Sequence, residues 1–135
     1  MVESDPDRTA LRFVNEINRH DVTVLLELMA PDIRYIDHLG QEVRGKERMA
    51  EVWSALFGRF PDLHIVIRDH LTLGPVVGLF GVASGTATDG GENAPATRWS
   101  MNAAWRAVVR DGRVEEWQVY FDDRPIRTLR EAHHA

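Results

Sequence analysis

An acid, Asp37, closes the apolar run Ile33-Arg34-Tyr35-Ile36 and stands three residues before Gly40. A carboxyl group at the end of such a strand, facing a low-dielectric pocket, suits the removal of a proton next to a carbonyl, or its return to an alkoxide. The same residue could instead cap the turn at Leu39-Gly40 by accepting backbone amides. On the residues alone the turn role leads, and only a resemblance described below brings the two level. Tyr35 and the histidines are the candidate proton donors or orienters. His38 follows Asp37 directly, so in a strand it faces the opposite way. His64 and His70 share a face if their strand runs unbroken. No HxH or HExxH spacing exists, so no metal site is expected. The glycine-rich stretch Gly85 to Gly91 has no phosphate-loop or dinucleotide pattern, and no Ser-His-Asp order is recognisable. No cofactor is therefore implied.

Large flat side chains supply candidate pocket walls. Trp53, Trp99, Trp105 and Trp117, with Tyr35, Phe80 and Phe121, offer apolar area suited to a planar ligand. Any single one of them reads more readily as ordinary core packing.

The elements that must position these groups follow from periodicity. Asp5-Pro6 opens a helix in which Ala10, Phe13, Val14 and Ile17 repeat at helical spacing. Asp21 caps a second, shorter helix that ends at Pro31. A strand over Ile33 to His38, a turn or short hairpin over Gly40 to Gly45, and a third helix over Lys46 to Phe57 come next. After Pro61 the period changes to two: Leu63, Ile65 and Ile67 alternate with His64, Val66 and Arg68. Val76 to Thr88 is a strand dotted with Gly78, Gly81 and Gly85, which suggests bends. Asp89 to Pro95 reads as a polar loop. Arg98 to Val109 and Arg113 to Asp122 are long strands joined through Asp111-Gly112. Ile126 to His133 reads as a short helix or a frayed tail. In the last hairpin a bulged turn would pair Val109 with Arg113. Trp105 then faces Trp117, Ala103 faces Val119 and Met101 faces Phe121, all on one face. A tight two-residue turn would pair Arg110 with Arg113 instead. Helices followed by strands give an α+β class.

At 135 residues the chain is read as one domain, residues 1–135, able to bury a core without staples. It has no cysteine and a formal charge of −5. Disulfides and thiolate chemistry are excluded. With no basic stripe, nucleic acid is not an expected partner, and the cluster Arg124, Arg127 and Arg130 reads as a solvated helix face. No apolar run approaches the ~20 residues that cross a bilayer, and the acidic, polar start from Met1 to Arg8 is unlike a signal peptide. A cytoplasmic, non-membrane protein is expected.

Several stretches in this order resemble the NTF2-like superfamily, and more narrowly SnoaL-like polyketide cyclases and ketosteroid isomerases. They are Arg12-Phe13-Val14 with Asn18 and Asp21, Ile33 to Gly40, Phe60-Pro61-Asp62-Leu63, and Asp111-Gly112-Arg113-Val114 through Phe121-Asp122. The resemblance covers about Thr9 to Asp122. It implies a cone-shaped, curved antiparallel sheet wrapped around N-terminal helices, with a pocket on the concave face and often a homodimer through the outer face. Asp37 falls where the isomerases carry their general base. Phe13 falls where they carry a tyrosine that donates to the developing oxyanion, and Ala103 where they carry a second donor, an acid. Val119 stands where the epoxide-hydrolase and cyclase branches carry an acid, and Asp122 matches a common family acid. The resemblance implies a cofactor-independent acid–base enzyme acting on a small apolar or aromatic carbonyl compound. Asp37 would be catalytic, and Phe13, Tyr35, Trp53, Trp105, Trp117, Val119 and Phe121 would contact the ligand. The alternative is a non-catalytic dimeric binding module of the same fold.

Overall fold

The computed structural model describes residues 5–87 and 97–122. Three helices, α1 (Pro6–Asn18), α2 (Val22–Leu28) and α3 (Lys46–Arg59), accompany six strands. These are β1 (Met29–Ile36), β2 (Glu42–Arg44), β3 (His64–Leu73), β4 (Val76–Ala87), β5 (Thr97–Arg110) and β6 (Arg113–Phe121). The expected loop over Asp89 to Pro95, the basic cluster and the C-terminal helix lie outside the described residues.

Helix α1 starts at a proline, whose missing N–H costs nothing in a first turn. It buries Ala10, Phe13, Val14 and Ile17 along one stripe. Asp21 caps α2 by accepting the Val24 amide at 3.1 Å. Pro31 does not end that helix. Helix α2 stops at Leu28, and Pro31 lies inside β1, in a stretch where the ladder to β6 is irregular between Met29 and Arg34. A proline is tolerated there because its nitrogen carries no hydrogen that the ladder would have to pair.

The strands form one curved, unclosed sheet in the order β2-β1-β6-β5-β4-β3. It is mixed rather than wholly antiparallel, because β1 pairs in parallel with β6. Parallel neighbours need a long connection, and the chain between them makes β2, α3 and the β3–β5 meander.

The β5–β6 hairpin has neither of the simple registers. Asp111 and Gly112 both have positive φ, 54° and 72°, as a two-residue type I′ turn requires. Arg110 therefore pairs with Arg113, and Val109 with Val114. A bulge then leaves Glu115 over, so that Ala107 faces Trp117, Trp105 faces Val119 and Ala103 faces Phe121. The expected pairing of Trp105 with Trp117 is corrected by two positions. A slip of two keeps each side chain on its face, so Trp105, Trp117 and Val119 still share the buried side.

A second bulge, between Ile67 and Asp69 on β3, reverses parity within that strand. His64 and His70 consequently lie on opposite faces, contrary to the unbroken-strand expectation. The bend glycines sit in a continuous β4. Gly81 faces the bulge, where an added Cβ would lie 1.8 Å from the Val66 carbonyl oxygen.

Side-chain ties hold the helices to the rim of the sheet. Asn18 both donates to the Ile65 carbonyl (2.8 Å) and accepts from the Ile65 amide (2.7 Å). His20 stacks on Phe57 and bonds the Leu63 carbonyl at 2.9 Å. Asp62 accepts from the Thr86 amide and hydroxyl, both at 2.7 Å. These bonds fix Phe60 and Leu63, both buried, against the sheet.

Candidate active site

A cavity of about 340 Å³ lies between the inner sheet face and the helices. From β1 and the turn after it come Tyr35, Asp37, His38 and Leu39; from α1, Ile17; from α3, Trp53, Leu56 and Arg59. Phe60, Leu63, Ile65 and Ala83 line one end, and Trp99, Met101, Trp105, Trp117, Val119 and Phe121 supply the floor. Polar groups are few, and they sit mainly in the segment after β1.

Asp37 lies one residue beyond β1. Its Oδ1 accepts the amides of Leu39 and Gln41, each at 2.9 Å, and its own amide donates to the Gln41 carbonyl. The residue thus organises the turn while standing in the cavity wall. Its Oδ2 accepts no hydrogen bond among the described residues. Because the strand has already ended, alternation no longer applies. His38 lines the same cavity instead of facing away, and its ring stacks on Phe121 at 4.2 Å.

Tyr35 packs edge-on against Trp53, with 6.1 Å between ring centroids. Burial, and then the neighbouring Asp37 charge, push the Tyr35 hydroxyl up to about 12. It therefore keeps its proton across the neutral range and can serve as a donor. Unfolded tyrosine ionises near ~10. Above that pH the unfolded chain loses this proton before the folded one does, so stability falls as pH rises past ~10. The phenolate absorbance lost in Tyr35→Phe is expected to have its midpoint near about 12, and the variant should show less loss of stability in alkali. A midpoint near ~10 would contradict this burial.

Phe13 does not line the cavity. It is fully buried behind the wall, 4.7 Å from the Trp117 ring and 5.9 Å from that of Trp53. Phe80 is half-exposed on the outer face, paired with Ala104, and is not a wall. Asp122 is exposed. His64 is exposed, and His70 lies 3.5 Å from Asp7 of α1. Sequence reasoning passed over Arg59, whose guanidinium lies over the Phe60 ring at 4.9 Å. A basic residue in the last turn of a helix looks like a partner for the helix end, so nothing in the pattern singles it out.

A second, polar concavity on the outer face holds Arg34, Arg106 and Glu116. Arg106 (2.8 Å) and Arg34 (3.1 Å) donate to Glu116, and Arg34 also bonds Glu42. The hydrogen bond from Arg106, then that from Arg34, holds the Glu116 carboxyl below its ordinary value. These charges neutralise one another, which suits a sheet surface better than a ligand site. Among the described residues no helix is long and apolar enough to cross a membrane, and no cluster of metal-ligating side chains occurs.

Known structures share this architecture. IdmH from Streptomyces antibioticus, a proposed polyketide cyclase, is 25% identical over 95% of this chain and 99% of its own, with a TM-score of 0.80. A proposed SnoaL-like polyketide cyclase from Shewanella denitrificans OS-217 has a TM-score of 0.83 at 13% identity, covering 94% of this chain and 97% of its own. A protein of ketosteroid isomerase-like fold from Catenulispora acidiphila DSM 44928, solved with trimethylamine, has a TM-score of 0.76 at 18% identity, covering 87% and 88% of the two chains. The last two likenesses concern the fold alone. No curated protein matches the sequence. The model of the SnoaL-like domain matches residues 10–117, from the buried stripe of α1 to the tryptophan in the cavity floor, so the chain belongs to the SnoaL-like domain family.

Proposed function

We propose that this protein is an acid–base enzyme for a small apolar or aromatic carbonyl compound, working by isomerisation, aldol-type cyclisation or dehydration. The observation that carries the reading is the place of Asp37. It stands in the wall of an otherwise largely aromatic cavity, with one carboxylate oxygen fixed by two amides and the other accepting no hydrogen bond among the described residues. In this reading Oδ2 takes a proton from the carbon next to the carbonyl, and the electron pair moves into the carbonyl as an enolate. Tyr35 or His38 then gives a proton to the enolate, and the proton held on Asp37 passes through solvent to that donor, which restores both groups. The polyketide cyclase description of IdmH supports a carbonyl-bearing, polyketide-type substrate.

A binding module without turnover is the second reading. It is favoured by the turn amides on Asp37 Oδ1, which alone would account for an aspartate at this position. Deuterium uptake decides between the two. Enolisable aromatic ketones incubated with the protein in D2O should exchange their α-protons faster than in buffer. Ketones that bind without accelerated exchange would leave only the binding module.

We further propose a homodimer through the outer sheet face. Phe80 pairs with Ala104 and Ala104 with Tyr120, which makes an apolar row across three strands, and Asn102 and Gln118 lie beside it. Phe80 and Tyr120 are 43% and 48% exposed, and Val66 on β3 is 49% exposed. Large exposed apolar groups in contiguous array mark interaction surfaces. Light scattering is expected to give twice the chain mass of 15.4 kDa. The monomer mass at micromolar concentration would refute the dimer.

A further inference from the structure

Phe13 and Ala103, at the isomerase-type positions for oxyanion donors, cannot donate from their side chains. Tyr35 can. It lies on β1, two residues before Asp37, and both residues line the cavity. Its ring is held from two sides. Trp117 stands beside it in the β1–β6 ladder, and Trp53 of α3 packs against it edge-on. Its Oη donates to no acceptor among the described residues.

A buried hydroxyl ordinarily has a partner; this one opens onto the cavity. Tyr35 is only partly buried, and its Oη is not sealed off as the indole nitrogens of Trp53 and Trp99 are. Yet burial is the first cause that raises its ionisation. A hydroxyl that keeps open surface but lacks bulk solvation faces an enclosed apolar space, and the space that Tyr35 lines is the cavity. The other polar side chains of the wall are placed differently. Asp37 as a carboxylate only accepts. His38 stacks on Phe121, and the Arg59 guanidinium lies over Phe60.

We infer that the Tyr35 hydroxyl, rather than His38, is the donor that holds the ligand's carbonyl oxygen. This rests on the small-molecule reading of the cavity given above, but not on turnover. A hydrocarbon of the same shape leaves the hydroxyl unpaired, so the donor favours planar compounds that carry a carbonyl. In the acid–base reading the same hydrogen bond strengthens as the carbonyl becomes an enolate.

The test uses the full chain labelled with 13C at Cζ of its two tyrosines. Tyr120→Phe assigns the Tyr35 signal by elimination. The probes are 1-tetralone and tetralin, which share a bicyclic shape and differ at the carbonyl. 1-Tetralone is expected to move the Tyr35 signal downfield, towards the phenolate position, and tetralin is not. Tyr35→Phe is expected to bind 1-tetralone about 10-fold more weakly than the parent, because a carbonyl left without its donor in an apolar cavity loses that much. Tetralin should bind both proteins alike. A Tyr35 signal that stays in place with 1-tetralone bound, or a ketone affinity unchanged in Tyr35→Phe, would overturn the inference while leaving the cavity as a binding site. Binding of neither probe would overturn both. Ketone binding that depends on Tyr35 but brings no deuterium exchange would overturn the enzyme reading alone. Should Tyr35→Phe fail to fold, the Tyr35 signal in the labelled Tyr120→Phe protein still decides.

Discussion

Trp117→Ala is expected to lower stability by ~3–5 kcal/mol, the usual cost of truncating a large buried aromatic. Trp117 is 1% exposed and joins β6 to three other elements. It faces Ala107 on β5 and Tyr35 on β1, and its ring lies 4.7 Å from Phe13 of α1. Its loss would leave the floor of the cavity open towards the core and remove one of the contacts between the sheet and the first helix. A domain of this size has only ~5–15 kcal/mol of net stability, so the urea midpoint followed by circular dichroism should move far. The ring contact can be measured separately. A double-mutant cycle with Phe13→Leu should show coupling of ~0.5–1.5 kcal/mol. An unmoved midpoint would mean that Trp117 is not packed between α1 and the sheet.

That register shows what a sequence pattern conveys. The alternation of Trp105 and Ala107, and of Trp117, Val119 and Phe121, sets which face is buried, and any even slip respects it. Pairing partners are set by turn geometry and by bulges. Glu115 carries no pattern that marks it as the residue left over, and the same holds for the bulge near Arg68 that separates His64 from His70. The order of helices and strands was legible because apolar period and caps are local signals: Asp5-Pro6, Asp21, Asp111-Gly112. The parallel pairing of β1 with β6 was not, because it joins residues far apart in the chain. In the site, Tyr35, Trp53, Trp105, Trp117, Val119 and Phe121 are wall residues by face alone. His38 escaped because the face rule ends with the strand at Ile36. Phe13 carries the family position of a donor, yet two tryptophans separate it from the opening.

Asp37→Asn is expected to leave the fold and ligand affinity intact while lowering proton transfer by ~10²–10⁴-fold, the usual weight of a general base. The argument turns on the two carboxylate oxygens. The Leu39 and Gln41 amides need only an acceptor at Oδ1, and an asparagine carbonyl supplies one. The amide nitrogen that replaces Oδ2 cannot take a proton at neutral pH. Asparagine therefore keeps the turn and removes the base, which separates the roles that the sequence left level. Asp37→Ala removes both. It should lose the rate and also ~0.5–1.5 kcal/mol for each turn hydrogen bond. If Asp37 serves the turn alone, the asparagine variant will match the parent in deuterium exchange and only alanine will show a defect, in stability. Two variants read by two measurements, exchange rate and denaturation midpoint, thus assign the residue: rate lost in both marks a base that also holds its own loop, and rate kept in Asp37→Asn marks a turn aspartate beside a binding cavity.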